Sequence, residues 1–301
     1  MAAKRTEPRF FWKRVESFTE LQQVVADYTD GRRGFIFRGY SVDISYDPLG
    51  NPILTELELT EPPALVTGLE NVCLLIDRGL TRARERERAL VREFKRRAHH
   101  YLASVPPDVN RLEWLALMQH HGAPTRLLDW TYSLHVAVHF ALTHALRSSK
   151  TPAVWMVDAR WCRDASAEIS KVPVGTLASH FALEDADEPD VANALLSKDT
   201  SRGVWPVNPF RLNERLIIQK GVFLASGDPT ATFVDNFTAL PGHENPSCIL
   251  RLILVGDQIE AIGKLLYDAN VTDATLFPGL DGFARSLWLS SRYLTLEGLR
   301  P

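Results

Sequence analysis

The sequence is short of the features that mark several common protein classes. Only three cysteines occur in 301 residues, Cys73, Cys162 and Cys248, and none forms a Cys-x-x-Cys pair. That spacing argues against a thiolate zinc site and a disulfide framework, and it fits a reducing cytoplasm. No window reaches the roughly 18 apolar residues of a membrane-spanning helix. The most apolar helix candidate, Leu134 to Leu146, is interrupted by His135, His139 and His144, so no membrane partner is expected. The first twelve residues place Lys4, Arg5, Glu7 and Arg9 ahead of any apolar run and do not read as a secretory signal. A formal charge of −3 gives no global attraction to nucleic acid, so any basic surface has to be local. Walker, Gly-x-Gly-x-x-Gly, Gly-x-Ser-x-Gly and His-Glu-x-x-His motifs are all missing. His135 and His139 fall at helical i,i+4 spacing but read as core or helix-surface residues, and no metal is expected.

What is present is well-punctuated secondary structure. Thr19 is placed to cap a first helix striped by Leu21, Val24, Val25 and Tyr28, which Asp30-Gly31 ends. Gly34 to Gly39 reads as a short buried strand finishing on Arg38. Ser41 to Thr67, with Pro48, Pro52, Pro62 and Pro63, reads as a loop or a loosely attached strand pair. From Leu80 to Tyr101 the apolar residues trace one face of a long helix. Its other face carries Arg82, Arg84, Arg86, Arg88, Arg92, Lys95, Arg96 and Arg97 against Glu85, Glu87 and Glu93. Two readings stay open: a solvated, ion-paired helix, or an Arg82–Arg97 contact for nucleic acid or an acidic protein.

Pro106-Pro107 breaks that helix, and Asp108 or Asn110 opens the next, which runs into Gln119. Ser133 is placed to cap an apolar helix to Arg147. Strands are expected at Pro152–Asp158, Arg215–Ala225, Cys248–Val255 and Thr272–Phe277. Weak helical periodicity appears around Ala192 to Leu196, and Asp257 and Asp281 are placed to cap the last helices. Strands and helices intermix without a βαβ rhythm. The expected class is α+β, a mixed or antiparallel central sheet flanked by helices. Residues 1–30 read as a helical extension and 31–301 as one domain.

Gln119 to Thr131, Gln-His-His-Gly-Ala-Pro-Thr-Arg-Leu-Leu-Asp-Trp-Thr, stands apart. Gly122 permits positive φ and Pro124 drives Ala123 out of the helical region, so a helix stops sharply. Polar side chains are then delivered at a fixed turn among Leu127, Leu128 and Trp130. Arg126 and Asp129, buried there, would need partners, each other included. The cluster fits either a ligand site or a polar network that specifies the fold. His120 and His121 are candidates for a base near neutral pH or for structural hydrogen bonding.

These residues resemble the FRG-domain family, named for a Phe-Arg-Gly that stands here at Phe37-Arg38-Gly39. Its second signature matches Gln119 to Thr131 without a gap. Later elements match at Arg215, Gln219, Gly221 and Phe223, and at Phe277, Pro278, Leu280 and Gly282. A fold-level resemblance to ADP-ribosyltransferases of the Arg-Ser-Glu type adds an expected chemistry and an ADP-ribosyltransferase-like fold. It implies that Arg38 holds the phosphates of NAD, Thr131 orients an acid, and Trp130 or Phe37 stacks on nicotinamide. Phe37, Arg38, Gly39, Gln119, His120, Arg126, Trp130 and Gln219 become candidate NAD contacts. Arg38, His121, Asp129, Thr131 and Glu214 become candidates for the chemistry. Glu214 sits one residue before the position of the family's catalytic glutamate, which Arg215 occupies, and Asp129 is the alternative acid. The implied activity is ADP-ribosyl transfer to a protein or nucleic acid by a toxin or phage-defence effector. A non-catalytic nucleotide- or nucleic-acid-binding module is the alternative.

Overall fold

The computed structural model describes residues 9–32, 34–46, 52–60, 62–148, 150–171, 196, 201–209, 213–256 and 258–293. In chain order the strands are β1 (Trp12–Val15), β2 (Phe35–Val42), β3 (Ile44–Tyr46), β4 (Pro52–Leu54), β5 (Leu127–Thr131), β6 (Thr151–Asp158), β7 (Val204–Val207), β8 (Gly221–Ser226) and β9 (Ile249–Leu254). The helices are α1 (Phe18–Thr29), α2 (Glu56–Thr60), α3 (Gly68–Val72), α4 (Ala83–Ala98), α5 (Arg111–His120), α6 (Leu134–Ser148) and α7 (Ala159–Ser170). They continue with α8 (Glu214–Ile218), α9 (Phe233–Thr238), α10 (Ile259–Asp268), α11 (Asp273–Leu276) and α12 (Leu280–Tyr293). Seven strands form one sheet in the order β1-β9-β6-β2-β5-β8-β7, and β3 and β4 form a separate pair. Only the β1–β9 pairing in the large sheet is parallel. The mixed α/β class and largely antiparallel sheet expected from the sequence are therefore present.

Both faces of the sheet are covered, which is why β6 reads as an unbroken apolar run from Ala153 to Val157. One face packs Ile36, Tyr40, Trp130, Trp155, Leu224 and Ile253 into a core with Phe233 and Phe237 of α9. The opposite face packs Phe35, Phe37, Met156 and Leu252 under α1, α6 and α10. Further along that face α5 covers Leu127, Phe223 and Ala225 with Leu112, Leu115 and Ala116. The sheet is thus roofed by α6 over β2 and by α5 over β5 and β8, and the seam between these helices runs above β5.

Several local expectations need correction. Ser17, not Thr19, caps α1, its hydroxyl accepting from Glu20 N. Within residues 1–30, expected as a helical extension, β1 pairs on the edge of the main sheet and α1 packs against it. The strand expected over Arg215–Ala225 is a helical turn followed by a shorter strand. Asn213 accepts from Leu216 N at 2.9 Å and starts α8, and a left-handed Lys220 ends the turn before β8. Thr272–Phe277 holds a helix in place of a strand, because Thr272 and Thr275 form a reciprocal capping box. Asp281 lies inside the first turn of α12 and is not its cap. The periodicity at Ala192 and the cap at Asp257 lie outside the described residues. No described helix is long and apolar enough to cross a membrane.

Candidate functional site

The site begins where the sheet splits. β2 and β5 pair at one position only, Phe37 with Thr131, whereas their outer neighbours β6 and β8 follow them along their length. The backbone of Asp129 consequently lacks the ladder partner that β2 would supply beyond Phe37. Arg38 takes that place: its Nη1 donates to the Asp129 carbonyl at 2.6 Å. Its Nε donates to the carbonyl of Ala64, in the short 3-10 turn Pro63–Leu65, at 2.9 Å. The guanidinium is thus fixed from both sides of the fork, while Nη2 makes no hydrogen bond among the described residues. Burial lowers the Arg38 pKa and the nearby Asp129 charge opposes that shift. Arginine remains protonated at any physiological pH.

Gly39 explains the third letter of the Phe-Arg-Gly motif. A Cβ there would lie 1.7 Å from the Ala137 carbonyl oxygen and 2.7 Å from Ala141 N, so α6 rests directly on the strand backbone. That contact brings His144 of α6 toward Arg38. Burial lowers the His144 pKa from its ordinary 6.5, with Arg38 and Arg147 adding to the effect against Asp273.

The other wall comes from the end of α5. Gln119 Nε2 donates to Asp129 Oδ2 at 2.7 Å, and Gln119 Oε1 accepts from the Thr125 hydroxyl. Thr125 in turn accepts from Leu127 N. The sharp Gly122-Ala123-Pro124 turn, with Gly122 at φ +77°, folds the chain back so that Gln119 can face Asp129. Asp129 is exposed, and its Oδ1 is left open beside Arg38. His120 borders the same groove. Its pKa is lowered by burial first, then by His121 and Arg215, with Asp129 acting in the opposite sense. The rings of His120 and His121 sit 4.9 Å apart.

Other sequence candidates lie elsewhere. Arg126 is fully buried and does not pair with Asp129. Its Nε and Nη2 grip both carboxylate oxygens of Glu87, also fully buried, and Arg111 Nη2 joins the same carboxylate. Thr131 is buried with its hydroxyl committed. It donates to the Gln219 carbonyl at 2.6 Å and accepts from Ser133 N at 2.9 Å, so it does not orient an acid. Gln219 gives Nε2 to the Leu276 carbonyl, which ties α8 to α11. Trp130 and Phe37 are in the core, 3% and 5% exposed, and cannot stack on a ligand. Glu214 is exposed in the first turn of α8, not on a strand. Among the described residues no group of three or more His, Cys, Asp or Glu side chains is arranged to hold a metal.

Sequence reasoning missed two buried charge clusters. Glu87 was one acid among many on a basic helix, and only its position on the inner face of α4 distinguished it. Arg251 on β9 is 1% exposed, pairs with Glu58 at 3.1 Å, meets Tyr40 Oη and lies over the Trp155 ring. The apolar run around Arg251 was the available signal.

Comparison with known families settles the resemblance for the part of the chain that carries this groove. A family model described as FRG domain matches residues 34–150. The chain carries an FRG domain. The matched span of this FRG domain runs from the start of β2 to just beyond α6. It contains Arg38, Gly39, Gln119, Asp129 and Glu87, so the groove and its buried Arg126 brace fall within it. The Arg215–Phe223 and Phe277–Gly282 elements lie outside the match. No curated protein and no solved structure matches the chain.

Proposed function

We propose that the groove binds a dinucleotide such as NAD and transfers its ADP-ribose to a protein or nucleic acid. This makes the fold an ADP-ribosyltransferase-like variant in which the acid comes from β5. One observation carries the reading. Arg38 Nη1 donates to the backbone carbonyl of Asp129, and Arg38 Nη2 and Asp129 Oδ1 make no hydrogen bond among the described residues. A guanidinium with free donors recognises a pyrophosphate, and an anchored carboxylate beside it suits a developing cation.

In this chemistry the glycosidic C–N bond breaks and its electron pair leaves with nicotinamide. Asp129 stabilises the oxocarbenium-like sugar and takes the proton of the acceptor as the new bond to the sugar forms. Gln119 holds the carboxylate in place. Glu214, exposed on α8, has no part in the step.

The test is incubation with adenylate-labelled NAD and a cell lysate. Label is expected on macromolecules with the native protein and absent with Arg38→Ala and Asp129→Asn. Failure of the native protein to label anything or release nicotinamide removes the transferase reading. Tight NAD binding without release would instead favour a non-catalytic nucleotide-binding module.

A further inference from the structure

We propose that a ledge formed by Arg147, Arg215, Phe277, Arg285 and Trp288 binds single-stranded nucleic acid. As a binding surface the ledge stands alone. Only its role in presenting the acceptor rests on the transferase reading.

Two guanidiniums lie against one aromatic ring. Arg215 from α8 is 4.7 Å from the Phe277 centroid, and Arg285 from α12 is 4.8 Å from it. The ring itself is held edge-on by Phe140 of α6. Neither guanidinium makes an ion pair among the described residues, although Asp273 lies within the electrostatic reach of Arg285. Arg285 gives only Nε, to the Asp281 carbonyl, and Arg215 makes no hydrogen bond or ion pair among the described residues. Their sequence neighbours Glu214 and Asp281 do not pair with them. Asp273 is buried and engaged by His139 at 2.9 Å and more weakly by Arg147 at 3.8 Å. Guanidiniums fixed by an aromatic ring with donors unengaged are preorganised for phosphate oxygens.

The second component is a stacking surface. Trp288 is 46% exposed, and Arg147 lies 5.6 Å from its ring centroid. An exposed indole beside cations offers a platform for an unpaired base, whereas a duplex keeps its bases stacked. An acidic peptide would satisfy the arginines and leave the indole unused. The ledge is tied together by Gln219 Nε2 donating to the Leu276 carbonyl, and to the FRG elements by Phe140 of α6 against Phe277. It also accounts for the Arg215 and Phe277 elements that stood out in the sequence, which meet here.

The experiment is fluorescence anisotropy with a labelled twelve-nucleotide oligo-dT and oligo-U, without NAD, at low and moderate salt. The native protein should bind in a salt-dependent manner. Arg215→Gln with Arg285→Gln should flatten the log–log salt slope by about 1.4, from roughly 0.7 per phosphate contact. Trp288→Ala should weaken binding about 5- to 100-fold with the slope retained. Arg285→Glu, on an exposed helix face, serves if the double variant does not fold, and should weaken binding more than its neutral counterpart. Absent binding at low salt, or native-like binding by both Trp288→Ala and the arginine variants, overturns the proposal. So does preference for a poly-glutamate peptide over the oligonucleotides. NAD titration of Arg285→Glu separates this outcome from the transferase reading, because Arg38 and Asp129 are untouched.

Discussion

Glu87→Gln is expected to be among the most damaging isosteric changes in the molecule. The carboxylate is fully buried and receives Nε and Nη2 of Arg126, itself fully buried, together with Nη2 of Arg111. Arg126 Nη1 reaches the Ser226 and Gly227 carbonyls only at 3.5 and 3.4 Å, so Glu87 is its principal partner. Removing the charge takes the bidentate carboxylate from a fully buried guanidinium, at a cost of about 3–5 kcal/mol. An ordinary buried hydrogen bond would account for only about 1 kcal/mol, so the two explanations are separable. Urea unfolding monitored by tryptophan fluorescence should show a lowered midpoint with unchanged m. Replacing Glu87 and Arg126 by leucine should cost less than Glu87→Gln alone, because the fully buried guanidinium goes too and only the partly exposed Arg111 loses the carboxylate. A loss below about 1 kcal/mol for Glu87→Gln, or an equal loss for the double variant, would refute the argument. Burial alone would raise the Glu87 pKa, but Arg126 and Arg111 outweigh it and hold it below the ordinary 4.5. A depressed acid stabilises the fold above its unfolded pKa. That contribution fades as pH falls through the folded value, so the native protein should lose stability in acid and Glu87→Gln should lose less.

Gly39→Ala should destabilise the protein by about 1–3 kcal/mol or prevent folding, since the new methyl meets the α6 backbone; thermal unfolding measures this. Gln119→Leu should leave NAD affinity within about threefold while lowering nicotinamide release, because it frees the Asp129 carboxylate to reorient. Equal losses in affinity and turnover would place Gln119 on the ligand instead.

The sheet strands and long helices were legible because each has a strong local signal: apolar runs bounded by glycine for β2, and a one-sided stripe for α4. The short helix α8 was hidden because Leu216-Ile217-Ile218 are β-branched or apolar residues that suit a strand equally well. An Asn213 cap and a left-handed Lys220, set by tertiary packing, decided the matter. The Arg126 partner was illegible for a different reason. Glu87 is 39 residues away, and its place on the inner face of α4 does not reveal which cation it meets. Arg38 was identified as a candidate anchor, but its bond to the Asp129 carbonyl depends on how β2 and β5 diverge, which no strand pattern encodes. Arg82, Arg84, Arg86, Lys95, Arg96 and Arg97 each have an acidic partner within the chain.

Isothermal titration of NAD and ADP-ribose into native protein, Arg38→Gln and Asp129→Asn tests the central claim most directly. Both ligands should bind the native protein and Asp129→Asn alike, with affinity falling about 10- to 100-fold in a folded Arg38→Gln as charged phosphate hydrogen bonds are lost. Unchanged affinity in Arg38→Gln, or no binding of either ligand to the native protein, would contradict it.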